Sequence, residues 1–358
     1  MNTFFNKLTK LFLSNFLILF FFVVLIELVF GYWFDKDNFG PYMREHRMKN
    51  QPTLYKYEGK IYEYNYKRNY HGFRGDDIKP SNIEAIIMGG SVIDERYKPD
   101  KFTITGYLNR NLKKNNYNLI ITNAGIEAQS TFGLIYNFKH WFSKLKDFTP
   151  KIILFYVGMN DLYLPLDMNI DQADFRAGTM PLNPEKSEVF YDNIKSRSFL
   201  YDTARIFKFK YLPRKNFVKY DGNIDKSLKS NFQYITYDYA IKNYDIDVLK
   251  KNEKITKFLS RVDTLYENSK KINSNPIFIT SIGSNGYSEA SFMYNYFLIS
   301  HCKIKKYNCI DLAKKLNAKN YYWKDGTHTT KEGSEEIGNL IYEDLIKLIE
   351  KKSLFNVN

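Results

Sequence analysis

The chain has 358 residues, 44% hydrophobic and 26% charged, which gives it the length and apolar content for a sizeable core and excludes a disordered or low-complexity protein. Its 53 Lys+Arg against 39 Asp+Glu leave a net charge of +14. The lysines are dispersed as pairs such as Lys113-Lys114 and Lys250-Lys251, with no basic stripe or nucleic-acid-binding motif, so nucleic acid is not an expected partner. Two cysteines cannot build a disulfide scaffold or a four-thiolate zinc site, and no metal or other cofactor is expected.

From the amino terminus, Leu11 to Tyr32 carries a single charge, Glu27. As a helix this stretch spans about 33 Å, against a bilayer hydrocarbon core of about 30 Å. The sequence GYWFDKDN follows it, without a small-residue cleavage site, so residues 1–32 read as an uncleaved single-pass membrane anchor and 33–82 as a juxtamembrane segment. Glu27 lies near the far end and reads as a carboxylate snorkelling to the interface. Tyr32 and Trp33 fit an aromatic belt, and Lys7 and Lys10 a cytoplasmic flank. Lys36, Arg44 and Arg47 follow the span, so the charge rule favours the amino terminus inside by a narrow margin. That orientation puts the remainder on the extracytoplasmic (periplasmic) side.

Beyond the anchor, short apolar runs alternate with amphipathic segments, the grammar of an α/β fold with a parallel sheet. Strands are predicted at Ile83 to Met88, Leu119 to Thr122, Ile152 to Val157, Pro276 to Thr280, and Cys309 to Leu312. Leu134, Ile135, Phe138, Trp141, Phe142 and Leu145 mark the apolar face of a helix between the second and third strands. A closing helix carries Ile337, Leu340, Ile341, Leu345, Leu348 and Ile349 on one side, and Thr329 with Glu332 has the spacing of a capping box at its start. In such sheets the ligand site lies beyond the carboxyl ends of the strands.

Polar residues collect at those ends. Ser91 directly follows Gly89-Gly90 after the first strand, where its hydroxyl can project from a tight turn. Asn123-Ala124-Gly125 follows the second strand and Gly158-Met159-Asn160-Asp161 the third; the Gly125 N–H, the Asn160 amide and the Ser91 N–H could donate to an oxyanion. Asp325-Gly326-Thr327-His328 precedes the last helix, with a spacing that lets a carboxylate fold back onto an imidazole. Each motif taken separately is more often a turn or a cap.

In this order and context the four blocks resemble the SGNH (GDSL-type) hydrolase family, from about Ile83 to Lys352. The resemblance implies a three-layer flavodoxin-like fold, with Ser91 as nucleophile, His328 as base, Asp325 as orienting acid, and Ser91, Gly125 and Asn160 forming the oxyanion hole. The chain departs from the family pattern at Gly90, where the GDS motif carries Asp. His71-Gly72-Phe73-Arg74-Gly75 resembles a motif of membrane-anchored relatives, with Arg74 read as a structural clamp or a contact to a glycan carboxylate.

Residues 162–275 form a long insertion or cap within the domain 83–352. Helices are expected near Ser196 to Leu212 and Val248 to Ile272, and Tyr234 and Tyr237 are either sugar platforms or packing residues. Cys302 and Cys309 close a short loop if bonded. The function implied is a membrane-anchored esterase of the carbohydrate O-deacetylase type, acting on an acylated envelope glycan. Its alternatives are an O-acyltransferase to an extracytoplasmic polysaccharide, supplied by a membrane acyl-donor protein, and a non-catalytic glycan-binding or scaffold protein.

Overall fold

The computed structural model describes residues 2–352 except 32, 35–46, 48, 165–193, 195–196, 213–216, 226–227, 229–232 and 317–321. In chain order the helices are α1 (Asn2–Phe30), α2 (Ser91–Asp94), α3 (Ile104–Lys114), α4 (Thr131–His140), α5 (Phe199–Tyr211), α6 (Tyr237–Asn243), α7 (Ile246–Lys250), α8 (Glu253–Lys271), α9 (Glu289–Lys305), α10 (Leu312–Lys315) and α11 (Lys331–Lys352). The strands are β1 (Lys49–Tyr57), β2 (Lys60–Arg68), β3 (Ala85–Met88), β4 (Ile121–Asn123), β5 (Ile152–Tyr156), β6 (Val218–Asp221), β7 (Asn275–Ile279) and β8 (Asn308–Ile310).

Five strands form a parallel sheet in the order β4-β3-β5-β7-β8. Counted along the chain this is the order 2-1-3-4-5 of flavodoxin-like sheets, as expected. Every residue of β3 and β5 is buried, which is why they read as unbroken apolar runs: a parallel strand covered on both faces has no solvent side to alternate toward. Helix α3 packs against α11, while α8 packs against α4 and α9. All five strands of the sheet end within two residues of the bounds expected from the sequence.

The segment between α1 and the parallel sheet holds a hairpin where only a juxtamembrane segment was expected. β1 and β2 pair antiparallel from Lys49↔Arg68 to Tyr57↔Lys60, and β6 of the insertion adds to β1 in parallel. Tyr55, Tyr57, Tyr62, Tyr64 and Tyr220 cluster with Phe102 and Tyr107 on its inner side. The sheet thus ties the insertion to the segment that follows α1.

One expected cap is corrected. The Gly333 N–H donates to Thr330 Oγ1 (3.2 Å), so Thr330 and not Thr329 closes the first turn of α11. Thr329 turns inward to Glu95, and Glu332 accepts from the Tyr57 hydroxyl instead of reaching back along its own helix.

A disulfide joins Cys302 of α9 to Cys309 of β8. Closing so short a loop contributes about 2.5 kcal/mol in the chain-entropy model. Cys302→Ser should lower the unfolding free energy by about that amount, read by denaturant titration of the full chain in detergent. An unchanged midpoint would show the bond to be energetically idle.

Candidate active site

The connections from β3 run toward β4 on one side, and the chain then returns to place β5 on the other. Loops leaving the carboxyl ends of β3 and β5 therefore diverge and leave a crevice between them. Ser91 sits on the β3 side as the first residue of α2, and Asn160 on the β5 side. The glycine before the serine follows from this closeness: a Cβ on Gly90 would lie 2.0 Å from Asn160 Nδ2. A side chain at this position would displace the Asn160 amide.

Asp325 and His328 lie on the loop before α11. Asp325 Oδ1 accepts from the N–H groups of Thr327 (2.9 Å) and His328 (2.7 Å), bending the loop into a tight turn. That turn brings the ring over its own carboxylate: His328 Nδ1 is 3.0 Å from Asp325 Oδ2, and Nε2 is 2.9 Å from Ser91 Oγ. Burial works to raise the Asp325 pKa, but the hydrogen bonds from the His328 ring and from both N–H groups outweigh it and hold the carboxyl well below the usual range. An ionised Asp325 only accepts, so Nδ1 carries the proton and the Nε2 lone pair faces the serine hydroxyl. The edge of the Tyr97 ring system packs on the imidazole at 5.2 Å. Serine, imidazole and carboxylate thus stand in a hydrogen-bonded line, an arrangement able to deprotonate Ser91 for attack on a carbonyl.

The donors near Ser91 differ from expectation in one member. Gly125 is buried against the backbone of Ile93 and Asp94, and its N–H donates to Asn123 Oδ1 (2.9 Å). That N–H is spent inside the loop, so Gly125 is corrected out of the oxyanion site. Three residues later Ala128 is exposed, adopts φ +61°, and has an N–H with no hydrogen-bond partner among the described residues. Asn160 donates one Nδ2 hydrogen to Gln129 O (2.8 Å) and keeps the other. Its loop is fixed from below: buried Asp161 accepts from Thr131, from Gly158 N–H (3.3 Å) and from Arg261 (3.3 Å), while Gly158 turns at φ +104°.

Beneath Ser91 and His328 lies a buried charge network. Glu95 directly follows α2, and its Oε1 is 2.6 Å from Lys98 Nζ; both side chains are wholly inaccessible to solvent. Lys98 also donates to Thr329 O (3.2 Å), Thr329 Oγ1 (3.0 Å) and Thr330 O (3.1 Å), the residues that follow His328. Burial pushes the Lys98 ammonium below its ordinary value, and Glu95 works against that. From the hairpin side, Arg68 donates to Asp94 Oδ1 (3.0 Å) and Gly125 O (2.8 Å), and Arg74 to Asp100 and to Lys98 O (2.7 Å). With its guanidinium buried in these contacts, Arg74 is a clamp and not a substrate contact.

Tyr237 packs among Tyr287 and Phe292, and Tyr234 lies against the core, which gives both a packing role. The insertion nonetheless reaches the site's rim, where Tyr220 meets Tyr97 and the Asp225 N–H donates to Lys324 O (2.8 Å).

No family model and no curated protein matches the chain. Among solved structures it is similar to a psychrotrophic esterase, EstA from Pseudoalteromonas sp., at 10% identity over 75% of this chain and 99% of that one, with a TM-score of 0.42. A member of the lipolytic protein G-D-S-L family from Veillonella parvula DSM 2008 shares 12% identity over 73% and 96% of the two chains, with a TM-score of 0.40. TesA shares 8% over 74% and 98%, at 0.42. Likeness this distant leaves the assignment to the residues themselves.

Proposed function

We propose that this chain is a membrane-anchored serine esterase of the SGNH type, which removes short acyl groups from a polysaccharide of the cell envelope. The observation that carries the reading is the line from Ser91 Oγ through the His328 ring to Asp325, at 2.9 Å and 3.0 Å. His328 Nε2 takes the hydroxyl proton as Ser91 Oγ bonds to the ester carbon. Collapse of the tetrahedral species then expels the alcohol, which leaves with that proton, and water repeats the sequence to free the acid. The Ser91 N–H, the Asn160 amide and the Ala128 N–H are the donors proposed for the oxyanion.

A recess beside Asn160, lined also by Gly90, Gln129, Ser130 and Tyr156, has room for about one water-sized group. That leaves room for little more than a methyl group beside Asn160; the short acyl group and the glycan are both carried over from the family resemblance. In this reading the residues past the anchor face the extracytoplasmic side, which the Cys302–Cys309 disulfide supports, since such bonds persist in oxidising compartments.

Asn160→Ala should lower kcat by about 10²–10³, the usual loss of one oxyanion donor, with KM little changed. Steady-state hydrolysis of an aryl acetate reads this directly, and a loss below tenfold would return Asn160 to the status of a turn residue. Hydrolysis and transfer share the acyl-enzyme, so release of acetate is to be measured with and without an acceptor glycan. Hydrolysis predicts acetate release unaffected by acceptor, whereas acceptor-dependent consumption of the ester with acetylated glycan as product would make the enzyme an O-acyltransferase.

A further inference from the structure

We propose that helix α5 is a membrane-interfacial helix, which lies along the surface of the bilayer crossed by α1 and holds the catalytic domain against it. The proposal rests on the reading of α1 as a span and is independent of the Ser91 chemistry.

Two observations meet at this helix. The first is its attachment to the span. Glu27, the lone charge of the apolar stretch, accepts from Ser198 Oγ (2.7 Å) and from the N–H groups of Phe199 (3.1 Å) and Leu200 (3.0 Å). These are orphan donors at the start of α5, so a carboxylate from the anchor caps the helix. The Trp33 Nε1–H donates to the same carboxylate (2.8 Å), and the Phe30 ring packs on Phe199 at 5.3 Å. Glu27 lies about one turn before the end of α1, at the depth where a span passes from hydrocarbon to headgroups. Snorkelling alone leaves the carboxylate in water; here it has four donors.

The second observation is the face that α5 leaves uncovered. Leu200, Ala204, Phe207 and Tyr211 recur at i, i+4, i+7 and i+11 and are all exposed, with Tyr201, Lys208 and Leu212 flanking them. Phe207 is 53% exposed, Tyr211 57% and Leu212 60%. A surface helix of a water-soluble domain turns such a stripe inward. The opposite side of α5 is the one fixed to the domain: Asp202 is buried, and Arg205 bonds Asp202 and the Arg47 carbonyl. An amphipathic helix that starts at the headgroup level of a span, with aromatics and a lysine on its free side, fits a lipid interface. Continuity with α1 argues for lipid as the occupant over a second protein.

The test places one reporter cysteine at a time, Phe207→Cys or Tyr211→Cys, labels it with an environment-sensitive fluorophore, and reconstitutes the full chain in phosphatidylcholine–phosphatidylglycerol vesicles. Lys347→Cys on α11 is the water-facing control and Leu19→Cys the control within the span; circular dichroism checks folding. Labels at 207 and 211 should show blue-shifted emission, be dimmed by brominated lipid and be shielded from aqueous iodide, with the label at 347 behaving oppositely. Iodide access at 207 and 211 equal to that at 347 would overturn the proposal, as would shielding from both quenchers, which marks a protein contact. A Leu19 label unaffected by brominated lipid would sink the span reading and this proposal together, leaving the esterase reading untouched.

Discussion

Ser91→Ala should reduce ester hydrolysis by about 10⁶-fold while leaving the protein folded, because without Oγ there is no acyl-enzyme and the hydrogen-bonded line has nothing to activate. Among the described residues the Oγ hydrogen-bonds only to His328 Nε2, so removing it deletes that one bond and a single atom. His328→Ala should cost a similar factor, and the double variant little more than either alone, since the residues act as a unit. Asp325→Asn is expected to fall less far, by about 10⁴. Its amide would still brace the loop through Oδ1 but would no longer hold the imidazole in the tautomer that offers Nε2 to Ser91. Single-turnover kinetics with an activated acetate ester separate these values from product release. Additive losses in the double variant would mean that Ser91 and His328 serve different steps.

The largest effect on stability is expected at Lys98→Met. Lys98 and Glu95 are sealed from water, and removing one partner strands the other charge, a change that costs about 3–5 kcal/mol. The effect should reach the reaction too. Glu95 follows the helix that carries Ser91, and Lys98 bonds Thr329 and Thr330, which follow His328, so the pair sets the spacing of nucleophile and base. We expect kcat to fall at unchanged KM, because substrate recognition does not pass through the pair. Lys98→Met/Glu95→Gln should recover part of the stability, since the uncompensated charge is gone. A Lys98→Met variant within 1 kcal/mol of the parent would contradict the pair's bracing role.

How much of this was legible in the sequence depended on whether local pattern or distant contact decides the feature. The sheet was readable because parallel strands buried on both faces stand out as short apolar runs, and β3, β5 and β7 lie close to Ile83–Met88, Ile152–Val157 and Pro276–Thr280. Ser91, Asn160, Asp325 and His328 were readable because each follows a strand or precedes a helix within a few residues. The hairpin was missed although Tyr55 and Tyr57, and Tyr62, Tyr64 and Tyr66, alternate with polar residues; the apolar stretch just upstream drew the segment into a juxtamembrane reading. Gly125 was misplaced because a glycine in a loop says nothing about where its N–H is spent, and here Asn123 consumes it. The φ +61° of Ala128 has no sequence signature, since non-glycine residues seldom adopt it. Nothing in the sequence marks Glu95 and Lys98, since most charged residues are exposed, and only contacts made more than 200 residues away along the chain reveal them as buried.

Covalent capture shows whether Ser91 is an activated nucleophile. Purified full-length protein is treated with a fluorophosphonate, digested, and analysed by mass spectrometry. One adduct is expected, on Ser91 in the peptide containing Gly89-Gly90-Ser91, formed slowly in His328→Ala and absent in Ser91→Ala. A folded protein that gives no adduct, or one that carries its adduct on another residue and keeps it in Ser91→Ala, would contradict that role.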